Sequence, residues 1–446
     1  MLHLAVVAAF AVTAACTGPS QDRLPAEPHP VILIDIGTLR ADHLGCYGYE
    51  RDTSPNIDAL ARESVLFEWG FSQAPTTAPS QASIMTGLYP GTHGMISEAR
   101  RLPDEATTLA ESLASYGYLS AAFVDGGYLS SDFGFAQGFS VYDNSRGGGL
   151  AEIGPKAIDW LWQHASEDFL LLIHSYDIHT PYAPPEEYRA MFLEGLAPPS
   201  EGFEASAEQL ELVRASAEGE EPRLLPANDL EYAKALYDAE IRYVDEWVGR
   251  LMAAIRELGL AKRATVVLVS DHGEEFQEHG SVLHDQLYST VTRVPLILRL
   301  PGGQRATRVS KIVETIDLMP TLLDLTGAPA PPGMQGESLV PLIRGQGRPP
   351  YLAFGESGWR GGQSFVALGG YQMLRTEKTG AMELYNLFED PLELNDLSER
   401  EPDRIEVLTR RLDDWRRRLA TSALGEEAAP VDEETLEQLR SLGYIQ

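Results

Sequence analysis

Thr77 lies in a run of small and hydroxylated residues, 73–94 (QAPTTAPSQASIMTGLYPGTHG), just ahead of a predicted helix whose first turn is marked by Pro79. Proline fits that turn because its missing N–H would have no partner there. Free backbone N–H groups and the positive end of the helix dipole meet at such a start, so the Thr77 hydroxyl would sit where phosphate or sulfate binds. Helix capping by Thr77 and Ser80 is the plainer alternative. Asp271 and His272, followed by Gly273, leave an apolar run together and offer adjacent ligands for a divalent cation. The alternative there is a carboxylate cap and a packed imidazole. His174, Asp177 and His179 gather where another apolar run ends. They could hold an oxyanion or pass a proton, or form a polar loop closed by Pro181. His284 is the better candidate than His279, because the chain returns from it into a strand; His279 is expected in solvent. Asp35 stands inside an apolar run and must be paired or bound to a cation. Arg40 is expected to be the structural partner of an acid, and His93 either faces the site or packs.

These groups need a scaffold that brings distant segments to one place. Residues 31–36 (VILIDI), 119–124, 169–173, 265–269 and 294–300 are continuous apolar runs of strand length. Such runs fit strands buried on both faces of a parallel sheet. Helical patterns lie between them at 107–116, 153–165 and 229–258. The last keeps three-to-four apolar spacing from Leu230 to Ile255, with Asn228 and Glu231 as a capping box and Gly259 as its stop. The alternation predicts an α/β fold, a mainly parallel central sheet sandwiched by helices. The polar clusters fall at the carboxyl ends of strands, where open sheets build sites. Residues 196–226, acidic and rich in Ala, Glu and Pro, read as a lid-like insertion. Short strand patterns at 364–368, 371–375 and 383–386 precede an amphipathic helix at 402–419, predicting a smaller C-terminal α+β subdomain. The division is expected at 30–345 and 346–446.

The chain has 446 residues, 43% apolar and 23% charged, and a net charge of −31 from 66 acidic against 35 basic residues. This describes a soluble globular protein and excludes a nucleic-acid binder, which needs Lys and Arg patches. Residues 4–15 (LAVVAAFAVTAA) are too short to span a bilayer and read as the apolar part of an export signal ending at Cys16. Ala14-Ala15-Cys16 is similar to a bacterial lipoprotein cleavage site, so 1–16 is expected to be a signal, Cys16 a lipid anchor and 17–29 a tether. In that case Cys46 stands alone, with no intrachain disulfide.

Taken together, the clusters resemble the sulfatase family within the alkaline phosphatase superfamily. The matching pieces come in order: TLRADHLGCYG (38–48), TSPNIDAL (53–60), PSQASIMTG (79–87), HTPY (179–182), SDHG (270–273), ELYNL (383–387) and LRSLGY (439–444). The resemblance implies that Thr77 occupies the position of a Cys or Ser oxidised to formylglycine, so no formylglycine forms here. It implies a divalent metal (Ca, Mg, Mn or Zn) on Asp271 and His272, and substrate contacts from His179 and His284. Two positions depart from the pattern. Gly37 replaces a metal-binding Asp, and Gln81 replaces an Arg. Asp35 lies two residues before Gly37 on the same strand face, one repeat of roughly 6.5–7 Å away, and is the candidate third ligand.

The expected activity is that of an exported ester hydrolase of the bacterial cell envelope, acting on a sulfate or phosphate ester of a small molecule, glycan or lipid. Thr77 would attack, and water would release the ester it forms. Gly37 and Gln81 support a second expectation, a catalytically inactive binding protein on the same fold. A third is a transferase of phosphoryl-linked head groups between envelope lipids.

Overall fold

Val31–Ile36 forms strand β1, buried along its whole length at the centre of the main sheet. Its alternate residues feed two separate cores, as the two-residue strand period requires. Ile32, Ile34 and Ile36 pack with Leu236, Trp247 and Val248 of the long helix Ala227–Glu257 on one face. Val31 and Leu33 belong to the opposite core with Ala78, Ala82 and Leu322. The computed structural model describes residues 27–424 except 98, 99, 145, 146, 218, 220, 305 and 348. The expected signal, Cys16 and most of the tether lie outside them, as does the motif at 439–444.

The remaining strands follow in chain order. They are β2 (Val65–Phe71), β3 (Leu119–Val124), β4 (Val141–Asp143), β5 (Phe169–Ser175) and β6 (Thr265–Val269), then β7 (Glu275–Phe276), β8 (Val282–Leu283), β9 (Arg293–Arg299) and β10 (Thr307–Glu314). The main sheet has eight strands in the order β10-β2-β9-β6-β1-β5-β3-β4. Strand β9 alone among them runs against its neighbours β2 and β6. Its first residue therefore lies at the edge where β1, β5 and β6 finish, which returns the His284 segment to that edge.

A second sheet, β11 (Leu352–Ser357), β12 (Gln363–Leu368), β13 (Tyr371–Thr376) and β14 (Met382–Asn386), is antiparallel throughout. One of its faces packs on Phe71 and Leu287, the other on Leu408, Leu412, Trp415 and Leu419 of the helix Pro402–Ser422. The sheet also braces the reactive loop, because the Glu356 N–H donates to the Gln73 carbonyl at 2.9 Å.

Two local expectations are corrected. The helix read at 229–258 starts at Ala227 behind Pro226 with no side-chain cap, because that proline already sets the entry, so Asn228 and Glu231 form no capping box. Gly259 does end it, in a left-handed conformation with φ 72°. The insertion at 196–226 is not simply a loop. It carries the helix Ala207–Ser216, started by a capping box of Ser206 and Gln209, and Arg214 pairs with Asp285 at 3.2 Å.

Candidate active site

The helix expected at Pro79 begins two residues earlier. Thr77 is its first residue, Thr76 is the N-cap, and the helix Thr77–Thr86 is buried throughout. Neither Thr77 nor Ser80 caps it. Ser80 Oγ donates to the Ala74 carbonyl at 2.9 Å, while Thr77 Oγ1 lies 3.2 Å from His272 Nε2. His272 Nδ1 is 3.0 Å from the Gly273 carbonyl, which can only accept. The ring hydrogen therefore sits on Nδ1 and the lone pair on Nε2, so the Thr77 hydroxyl donates to His272. That nitrogen has one lone pair and serves either the hydroxyl or a cation.

Beside this couple lies a buried acid pair. Asp35 accepts from Gln81 Nε2 through Oδ2, while its Oδ1 has no partner. Burial, and then the neighbouring Asp271, push the Asp35 carboxyl well above the usual carboxylate range. Burial also pushes Asp271 up, but the His272 and His174 rings and two backbone N–H groups outweigh it and hold that carboxyl below its usual value. Asp271 Oδ1 accepts from the His272 N–H at 2.8 Å and the Thr38 N–H at 3.2 Å. Thr38 has φ 59°. A β-branched residue in that region costs about 1–3 kcal/mol, a strain kept mostly at functional sites.

His179 and His284 stand on the other side, their rings 5.0 Å apart, and His284 is 4.4 Å from the His272 ring. His179 Nδ1 lies 2.8 Å from the Thr180 carbonyl, which fixes its hydrogen there. His284 Nδ1 lies 3.0 Å from Glu274 Oε1. Burial, then His284, lower His179 to about 4; burial, then His272, hold His284 well below the ordinary imidazole value. Burial therefore disfavours the charged form of both rings. Glu274 escaped the sequence reading, although it stands two residues after His272. Burial raises it to about 7, against the opposing pull of His179 and His272.

Other candidates lie elsewhere. Arg40 holds Asp42 with two bonds of 2.9 and 2.8 Å and Glu278 at 2.7 Å, the structural role expected of it. His93 packs, with Nε2 3.1 Å from Ser83 Oγ. Asp177 accepts the Leu150 N–H at 2.7 Å, fixing the start of the helix Gly149–His164. His279 is not in solvent. It stacks on Tyr288 at 3.4 Å and pairs with Glu275 at 2.9 Å.

Among the described residues, no three His, Cys, Asp or Glu side chains converge on a ready-made metal position. The donor chemistry still fits a cation. Asp35 Oδ1, Gln81 Oε1 and Asp271 Oδ2 are buried acceptors without partners, and Asp271 Oδ2 lies only 3.6 Å from the lone-pair nitrogen of His272.

A mainly parallel sheet with a hydroxyl at a helix start and an Asp–His pair at a neighbouring strand end places the protein in the alkaline phosphatase superfamily. A family model described as Sulfatase matches residues 30–328, and one described as N-sulphoglucosamine sulphohydrolase, C-terminal, matches 277–418. The chain belongs to the sulfatase family. It is 26% identical over 444 residues to an arylsulfatase of Clostridium perfringens, covering 85% of this chain and 92% of that one. A protein solved with its substrate D-glucosamine-2-N,6-O-disulfate superposes with a TM-score of 0.73 at 19% identity, over 89% of this chain and 99% of the other. The phosphonate monoester hydrolase of Agrobacterium radiobacter gives a TM-score of 0.72 at 20% identity, over 88% and 96%.

Proposed function

We propose that this protein is an exported hydrolase of sulfate or phosphate esters with Thr77 as its nucleophile. The observation that carries the reading is the 3.2 Å contact from Thr77 Oγ1 to the lone-pair nitrogen of His272. His272 takes the hydroxyl proton as Oγ1 bonds to sulfur or phosphorus. Ester binding brings negative charge to the two imidazoles, and His179 takes up a proton on Nε2. That proton goes to the alcohol oxygen as its bond to sulfur or phosphorus breaks. Water then attacks the threonine ester and gives a proton to His179, and His272 returns its proton to Oγ1. A divalent cation held by Asp35 and Asp271 would supply positive charge for the ester oxygens and lower the pKa of the threonine hydroxyl.

The alcohol is a sugar or aryl group in this reading, which rests on the arylsulfatase relative and the glucosamine disulfate bound by a structural neighbour. Export to the bacterial envelope, with an anchor at Cys16, rests on the apolar run 4–15. The test is hydrolysis of aryl sulfates and of aryl phosphate mono- and diesters with added Ca, Mg, Mn or Zn. Thr77→Ala should lower turnover by at least ~10³-fold. Equal rates for the variant and the parent would sink the proposal.

Gln81 favours a second reading, an inactive binding protein. Its Nε2 donates to Asp35, and it offers a substrate no positive charge. Tight binding of an aryl sulfate or phosphate with no turnover under any of these metals would select that reading.

A further inference from the structure

Trp359 stands in the turn Trp359–Gly361 between β11 and β12, and its indole is exposed. Two independent lines place it at the mouth of the site. Along the chain, it follows Glu356 of β11, whose N–H holds the Gln73 carbonyl in the loop that leads to Thr77. Across space, the Arg214 guanidinium lies over the indole, 5.5 Å from the ring centre. The same guanidinium pairs with Asp285, the residue after His284, and its charge opposes protonation of His284. The turn also meets the loop behind the helix Pro90–His93, since a Cβ at Gly358 would stand 3.4 Å from the Ile96 carbonyl. Ile96 is exposed as well.

Arg214 is held firmly. Its Nε and Nη2 donate to Glu211 at 2.7 and 2.5 Å, and its Nη1 donates to Asp285 at 3.2 Å. A guanidinium fixed in this way gives the indole a constant backing, because its planar fork has little freedom left. Its charge is already met by two carboxylates, so the part of this wall that is open to a ligand is the indole with the Ile96 side chain beside it. A rigid aromatic surface with a polar border takes a flat apolar partner. In the alcohol of an ester, that partner is an aryl ring or the C–H face of a pyranose.

We propose that Trp359, backed by Arg214 and flanked by Ile96, is the platform on which the ring of the substrate's alcohol lies, and that it selects ring esters over open-chain ones. The inference rests on the hydrolase reading above and names the wall that receives the leaving group. Three separate segments build that wall: the insertion helix Ala207–Ser216, the turn after β11 and the loop at Ile96. The first two are joined to the site through Asp285 and Glu356, so a ring held there is held in a fixed relation to Thr77.

The test compares phenyl with butyl esters of sulfate and of phosphate. Affinity is measured by calorimetry in the Thr77→Ala background and turnover in the active chain, each with Trp359 intact, with Trp359→Ala and with Trp359→Phe, all checked by circular dichroism. Trp359→Ala should cut the preference for phenyl over butyl by about 10-fold, in affinity and in kcat/KM, with the change carried by KM. Trp359→Phe should restore most of it, because a benzene ring still stacks. An unchanged preference in Trp359→Ala overturns the inference while leaving attack by Thr77 standing. Failure of the Thr77→Ala protein to bind either phenyl ester overturns it as well. A binding preference that depends on Trp359, in a protein that turns over none of these esters, supports the inference and sinks the hydrolase reading instead.

Discussion

The buried acid pairs Glu314–Asp317 and Asp35–Asp271 differ in one respect: only the first is finished. In the pair Glu314 and Asp317, every carboxylate oxygen is met. Glu314 accepts from Tyr89 Oη at 2.9 Å and from the Phe354 N–H at 2.9 Å, and Asp317 accepts the Glu314 N–H at 3.0 Å and the Glu337 N–H at 2.8 Å. In the pair Asp35 and Asp271, one oxygen of each is left over. Both pairs are buried, and burial raises Glu314, Asp317 and Asp35 alike. Perturbed acidity therefore does not tell a structural acid from a working one. Unmet acceptors do: the first pair joins the second sheet to the first, and the second keeps free oxygens for the cation proposed above.

The sharpest way to break this contrast is to neutralise one acid in each pair. Asp271→Asn should lower turnover by ~10³-fold or more. Its melting temperature should fall less than that of Glu314→Ala, because the amide keeps an oxygen for the His272 and Thr38 N–H groups, although the folded state loses a carboxylate that it holds below its usual pKa. Glu314→Ala should do the reverse. It leaves the Tyr89 hydroxyl and the Phe354 N–H unpaired, a loss of about 2–4 kcal/mol, while turnover per folded molecule stays within a few-fold. Steady-state assays and thermal melts on the same preparations decide it. Similar effects from both substitutions would remove the distinction.

Much of the first pair's neighbourhood was hidden from the sequence, and much of the second was not. The strands that carry Asp35 and Asp271 are uninterrupted apolar runs, and β1 and β6 begin and end where the pattern places them. Strands β2 and β10 gave no such signal. Trp69 is only partly covered, and β10, at the sheet edge, mixes exposed and buried residues without a strand period. Glu314, at the end of β10, was therefore invisible as a core acid. Within the site, the motifs named Thr77, Asp271, His272, His179 and His284, and the fold gathers them at one edge. What spacing could not give was direction. That Gln81 turns to Asp35, that both His174 nitrogens stay unmet, and that Glu274 backs His284 all depend on strand register and on the antiparallel course of β9.

A cation offers a milder probe of the same contrast. A metal that binds the folded protein alone stabilises it by about 2.7 kcal/mol at one hundred times its Kd. Adding Zn or Mn to metal-free protein should raise the melting temperature of the parent and of Glu314→Gln equally. It should leave Asp271→Asn unmoved, because that variant lacks the oxygen left free for it. A shift that survives in Asp271→Asn would place the ion elsewhere.

The smallest effect is the dependence on pH, and it separates the pairs by what remains when the metal is present. Burial raises Asp317 to about 7 and Glu314 well above its usual value. In the unfolded chain both titrate near about 4. Between about pH 4 and pH 7 the folded protein keeps protons that the unfolded chain has released, so stability falls as pH rises across that window. It is complete below the unfolded values and lost as pH passes the folded ones. Asp35 adds a decline of the same sign, but a bound cation replaces its proton and removes that part. In metal-saturated protein, the remaining fall in melting temperature from pH 5 to pH 8 should be shallower in Glu314→Gln than in the parent. The amide carries no charge to set against Asp317, and it can still accept the Phe354 N–H and donate to Tyr89 Oη. Identical slopes would mean that Tyr89 and the backbone donors already neutralise the Glu314 charge, and that the two acid pairs differ less than their hydrogen bonds imply.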